Sequence, residues 1–195
     1  MLDDRGLSLI ELIVVVLIMG IMATGAVMSM TVVYNADAER AVTNLTEILD
    51  KARTMAMAEN DDGVGMPGSR TNLVKIVARI TQDDKGDYYA SVVKRTWATE
   101  SVAAPTDTEV EKVKLCNYRV KISAAKIGGV SLKELTNNPG DMFEYAFKKS
   151  TGGIEAVRFD SDPAAHNEYL DLFVDGSDHY RIVFSLASGR CYVVD

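Results

Sequence analysis

The chain has 195 residues, 47% of them hydrophobic, and a net charge of -7. That length suits one ordinary domain with an extension and excludes two comfortable cores. The acidic balance excludes nonspecific nucleic-acid binding, which needs several Lys or Arg to neutralise phosphates; the basic pairs Lys94/Arg95 and Lys148/Lys149 read as solvated strand or loop faces.

The first element begins after a six-residue flank, Met1-Leu2-Asp3-Asp4-Arg5-Gly6. From Leu12 to Val33 no residue is charged. At 1.5 Å per residue this run of about 22 residues covers the roughly 30 Å hydrocarbon core of a bilayer. A secretory signal peptide would put positive charge before an apolar core of about 7–15 residues and close on a small-residue cleavage site. Here the run is longer, the flank holds one basic side chain, and Gly6 precedes the apolar run. Glu11 interrupts the apolar start. An acid inside a membrane helix costs about 2.5–3.5 kcal/mol on insertion scales, so one that persists usually has a partner. A second reading puts Glu11 at headgroup depth, favoured by the helix macrodipole, but leaves Gly6 and the short flank unexplained.

Gly6, Leu7 and Glu11 followed by a long apolar helix resemble the type IV prepilin signal, over about the first 30 residues. The resemblance implies cleavage between Gly6 and Leu7 by a membrane-embedded prepilin peptidase and N-methylation of Leu7. It also implies that Glu11 pairs with the amino terminus of a neighbouring subunit during assembly. The physics of Glu11 agrees, because a desolvated carboxylate needs a cation and the amine freed by cleavage is one. Many family members have Phe in place of Leu7 and a more basic leader. Major pilins of one common class also carry a proline in the second half of the helix, whereas this chain has none before Pro67.

Beyond Val33 the helix is predicted to continue with two faces. Ala38, Ala41, Val42, Leu45, Ile48, Leu49, Ala52, Met55 and Ala56 recur at three- and four-residue spacing, with Asp37, Glu39, Arg40, Asn44, Glu47, Asp50, Lys51 and Arg53 between them. The stripe predicts packing along a sheet. From about Ser8 to Glu59 the helix would be roughly 75–80 Å long, ending at Asn60-Asp61-Asp62-Gly63. The expected divisions are a leader at 1–6, a membrane-spanning or filament-core half at 7–33, an amphipathic half at 34–60, and a β-rich globular domain at 61–195. The fold class is α+β, a long helix packed on an antiparallel β-sheet or β-sandwich.

Alternating Val, Ile and Tyr predict strands over 72–81 and 88–98, a hairpin around the turn at 82–87. A polar loop over 100–109 leads to an expected strand over 112–123 and a short helix turn over 131–135. Further strands are expected at 142–148, 156–159, 169–174, 179–186 and 191–194.

The final hairpin, with Gly189-Arg190 after a strand, resembles the closing segment of H-type minor pseudopilins and related minor pilins. Some of those relatives bind DNA through Gly-Arg-x-Arg, but Tyr192 stands where the second arginine would be, so nucleic acid is not an expected partner. Cys116 and Cys191 are the only cysteines. Placed outside the cytosol they could form a disulfide, and each equally reads as a buried free thiol in a strand.

Asp160, Asp162, Glu168 and Asp171 could offer oxygens to calcium, yet Ala164 and Ala165 stand where a calcium loop needs a ligand and a glycine. His166 and His179 fall in no metal or nucleophile motif. No catalytic residue, metal or cofactor is therefore expected.

The reading is a structural subunit of a type IV pilus, a type II secretion pseudopilus or a competence pilus, in the cytoplasmic membrane as a single-pass protein before assembly. Minor pilin or pseudopilin is favoured over major pilin, because about 135 residues follow the helix, which is large for a simple major pseudopilin. The implied partners are other pilin subunits, the prepilin peptidase and methyltransferase, the assembly platform and the membrane. The reading from another class is an uncleaved membrane-anchored receptor or enzyme domain, which needs neither Gly6 nor Glu11.

Overall fold

The computed structural model describes residues 9–59, 73–97, 104–126, 129–135, 141–149, 151–159, 162–163, 169–175 and 179–194. Among the described residues there is one α-helix, α1, from Leu9 to Ala58 over 50 residues, about 75 Å at 1.5 Å per residue. Nothing in its sequence breaks it: there is no proline, and Thr24 Oγ1 satisfies itself by donating to the Ile21 carbonyl at 2.8 Å.

Among the described residues eleven strands follow: β1 (Leu73–Gln82), β2 (Tyr88–Trp97), β3 (Thr106–Cys116), β4 (Lys121–Lys126), β5 (Gly129–Glu134), β6 (Met142–Phe147), β7 (Ile154–Phe159), β8 (Asp162–Pro163), β9 (Tyr169–Asp175), β10 (His179–Ser185) and β11 (Cys191–Val194). They form two sheets with spatial orders β3-β2-β1-β6-β7-β8 and β11-β10-β9-β4-β5, and every pairing is antiparallel. The expected α+β architecture is what the chain adopts.

Three local expectations are corrected. The segment expected as a helix turn over 131–135 is largely strand β5, because Ser123 and Ala124 of β4 pair with Glu134 and Lys133. The strand expected over 112–123 is two strands, broken where Arg119 N donates to Asn117 Oδ1 at 3.0 Å and Val120 N to Asn117 O at 3.2 Å. The polar stretch before 110 is already strand from Thr106.

The amphipathic stripe of α1 is the spine of the core. Ala38, Ala41, Val42, Leu45, Ile48, Leu49, Ala52 and Ala56 are buried against Ile76, Ala78 and Ile80 of β1, Ala90 and Val92 of β2, and Phe143, Tyr145 and Phe147 of β6. Each of these strand sets is an every-second-residue face, as the pleat requires. The second sheet meets the same core through Ile122, Ile182 and Phe184, and the Phe184 ring stacks on Tyr145 at 4.9 Å. The sheets also lock where Ile154 N donates to the Leu186 carbonyl at 2.8 Å, and the helix is tied to the second sheet's last turn where Arg53 Nε donates to the Ser188 carbonyl at 2.8 Å.

Candidate functional site

Among the described residues, the first buried residue of α1 is Ala38. Large apolar side chains from Leu9 to Val33 stand open, Leu9 at 79% and Met28 at 73% exposed, and none of the most apolar 18-residue window is buried. Helix is the form such a segment can take without water, since every backbone group is satisfied internally. The segment is long and apolar enough to cross a membrane. Glu11 lies in the first turn of α1, where the macrodipole favours an acid. Gly6 and Leu7 lie outside the described residues. A rod of exposed apolar surface with one acid near its tip has two uses, spanning a bilayer and packing against like rods.

Residues 1–27 match the family model of the prokaryotic N-terminal methylation motif. The chain carries a type IV prepilin or pseudopilin amino terminus. No curated protein and no solved structure matches the chain. The prepilin-type segment thus covers Gly6, Leu7, Glu11 and most of the exposed helix half, and the domain that follows lies beyond the match.

Within that domain, Cys116 and Cys191 are kept apart. Cys116 ends β3 next to Asn117, whose Nδ2 donates to Asp37 Oδ2 at 3.2 Å. Cys191 starts β11 just past Ser188, which meets Arg53. Asp37 and Arg53 are 16 residues apart on one helix, about 24 Å along its axis, whereas a disulfide needs Cα atoms within about 7 Å. Both cysteines are free. Burial, helped by Asp37 and Asp87, pushes the Cys116 thiol up to about 12, and burial, helped by Asp50, pushes Cys191 up to about 11. Both are thiols at neutral pH and poor nucleophiles. Asp160, His166 and Glu168 lie outside the described residues, as do the side chains of Asp162, Asp171 and His179.

One charged constellation was not anticipated. Lys94 and Arg95, expected as a solvated pair, point to opposite faces of β2. Lys94 Nζ bonds Glu59 Oε1 at the end of α1, at 2.7 Å. On the face away from the helix, Arg95 Nε donates to Asp107 Oδ1 at 2.8 Å and its Nη2 to Glu144 Oε1 at 2.9 Å. Arg79 Nε donates to Glu144 Oε1 at 2.7 Å, and its Nη2 also reaches Asp107. Arg79 sits opposite Glu144 and Arg95 opposite Asp107 in the strand register, so the two guanidiniums reach toward each other from opposite ends. The positions between them on that face are Val77 and Val93, paired and each 1% exposed.

Hydrogen bonds from Arg95 and then Arg79 hold the Asp107 carboxyl at about 2. Burial alone would raise Glu144, but the bonds from both arginines outweigh it, and its pKa lies below the usual carboxylate range. The one sequence signal was Glu144 standing between Phe143 and Tyr145 in a strand: an acid on an otherwise apolar run asks for a cation across the ladder.

Proposed function

We propose that the chain is a filament subunit, a minor pilin or pseudopilin of a type IV pilus or type II secretion-like system, that performs no catalytic step. The observation carrying this is the methylation motif at residues 1–27 leading directly into a helix half whose most apolar window has no buried residue. Before assembly Leu12–Val33 spans the cytoplasmic membrane with the domain outside the cytosol. The prepilin peptidase cuts between Gly6 and Leu7 and the new amino terminus is methylated. The assembly platform then draws the helix from lipid into a bundle of like helices, where Glu11 pairs with the amino terminus of a neighbour. The exchange keeps the apolar surface covered, and the carboxylate gains a cation that lipid does not supply. Minor rather than major subunit is favoured by the large domain carried on the helix.

The test is the intact mass and amino-terminal sequence of protein from membrane and sheared-filament fractions, with and without the peptidase. A start at methylated Leu7 that depends on the peptidase is expected, and mature protein starting at Met1 would leave an uncleaved tether instead. Glu11→Ala should still be processed but drop out of filaments at least tenfold, a factor that costs only about 1.4 kcal/mol of assembly free energy. Normal incorporation of that variant would remove Glu11 from assembly.

A further inference from the structure

The turn between β3 and β4 lies beside the point where the charge-free half of α1 stops. The Arg119 guanidinium stands over the Tyr34 ring, 5.5 Å from its centre, and over the Tyr118 ring at 5.7 Å. Two residues along the chain, Asn117 bonds Asp37. Tyr34 directly follows Val33 and Asp37 lies about one helical turn on, so the turn is held close to the level where the apolar run ends.

The turn is built rather than loose. Asn117 Oδ1 accepts from Arg119 N, Val120 is buried, and Gly86 of the β1–β2 turn backs it so closely that an added Cβ would meet the Tyr118 Cβ at 2.8 Å. With its base fixed, the Tyr118 side chain still stands 62% exposed, and Arg119 is exposed beside it. Asp37 is the acid that acts on Arg119, and it also accepts from Asn117 Nδ2 at 3.2 Å.

A group fixed one step beyond a hydrocarbon-crossing run sits at headgroup depth. Tyrosine is enriched there because its ring is apolar and its hydroxyl is wet, and arginine forms strong charge-assisted hydrogen bonds to phosphate. We propose that Tyr34, Tyr118 and Arg119 form a lipid-headgroup patch. The tyrosine rings sit at the ester level and Arg119 binds a lipid phosphate, which fixes the height and rotation of the domain on the outward face of the cytoplasmic membrane before assembly. The inference rests on Leu12–Val33 spanning a bilayer. A bilayer is favoured over a neighbouring subunit because the patch is placed by the length of that run.

The full chain in nanodiscs of phosphatidylethanolamine and phosphatidylglycerol supplies the test, in a Trp97→Phe background that removes the only native tryptophan. A Tyr118→Trp reporter should lose emission most strongly to lipids brominated high on the acyl chain, and a Leu17→Trp control to lipids brominated deep. Arg119→Glu should abolish the loss at the Tyr118→Trp reporter and Arg119→Lys should largely keep it, with circular dichroism unchanged in both. A quenched control with an unquenched reporter would overturn the patch while leaving the membrane span intact, and would turn this face toward another subunit or water. An unquenched control would overturn the span and the patch together. Undiminished quenching in Arg119→Glu would overturn the phosphate contact.

Discussion

At Gly189 the backbone sits at φ 65°, and an added Cβ would lie 1.8 Å from the Gly152 carbonyl oxygen, a distance no packing can relieve. Gly189→Ala therefore strains the backbone and pushes apart the turns that join the two sheets, and it should cost on the order of 3 kcal/mol. Gly25→Ala, with nothing within 4 Å of the added carbon, should leave the domain's urea midpoint unchanged in detergent; equal effects would mean the turns do not touch as described. The Gly-Arg pair that marked the closing hairpin in the sequence thus has a packing reason in this chain. Across the first sheet, Glu144→Ala leaves two arginines without their buried counter-charge and should cost about 3–5 kcal/mol, read from denaturant unfolding. Asp107 gives a pH signature. Its carboxyl is depressed from an ordinary 3.8 to about 2, so its stabilisation is complete above about 4 and is lost as pH falls from there through about 2. The Tm of the wild type should fall across that window, and Asp107→Asn should flatten part of the fall; identical acid limbs in the two proteins would deny Asp107 its partners.

The helix was legible in the sequence because its signals are local. A charge-free run and a three-four spacing of Ala, Val, Leu and Ile are read within a few turns, and Leu45, Leu49 and Ala52 are each at most 1% exposed, as the stripe required. The β1–β2 hairpin was legible for the same reason, its alternation and its Asp-Asp-Lys-Gly-Asp turn being adjacent. Apart from the local turn at Asn117, what failed was decided at a distance. Ser131-Leu132-Lys133-Glu134 has a helix-tolerant composition, and only pairing with β4 makes it a strand. The ion-pair network needs four strands in register and so left almost no mark on any one of them. The stripe carries its own prediction. Leu45→Ala should cost about 2–5 kcal/mol by opening a cavity between α1 and the sheets, while Ala52→Leu should cost about 1–3 kcal/mol by overpacking the same seam. Thermal unfolding reads both, and a neutral Ala52→Leu would mean that the helix stands off the sheet there.

The molecule as a whole divides its stability unevenly. Every buried apolar residue of α1 lies at or after Ala38, and the exposed large ones run from Leu9 to Val33, with Met57 alone beyond them. The first half of the helix therefore contributes little to holding the domain, and the domain contributes little to that half, which depends on lipid or on neighbouring subunits for cover. Such a separation suits the proposed subunit, which would change surroundings without refolding: the rod would exchange lipid for protein while the core around Leu45, Tyr145 and Phe184 stays unchanged. It follows that a chain starting at Val32, which keeps Tyr34 and the Arg119 contact, should fold in water without detergent. Its Tm should lie within about 2 °C of the full chain's, a difference under about 1 kcal/mol for a domain of this size. A larger fall would show that the apolar half steadies the domain after all, and the exchange from membrane to filament would then have to disturb the core it carries.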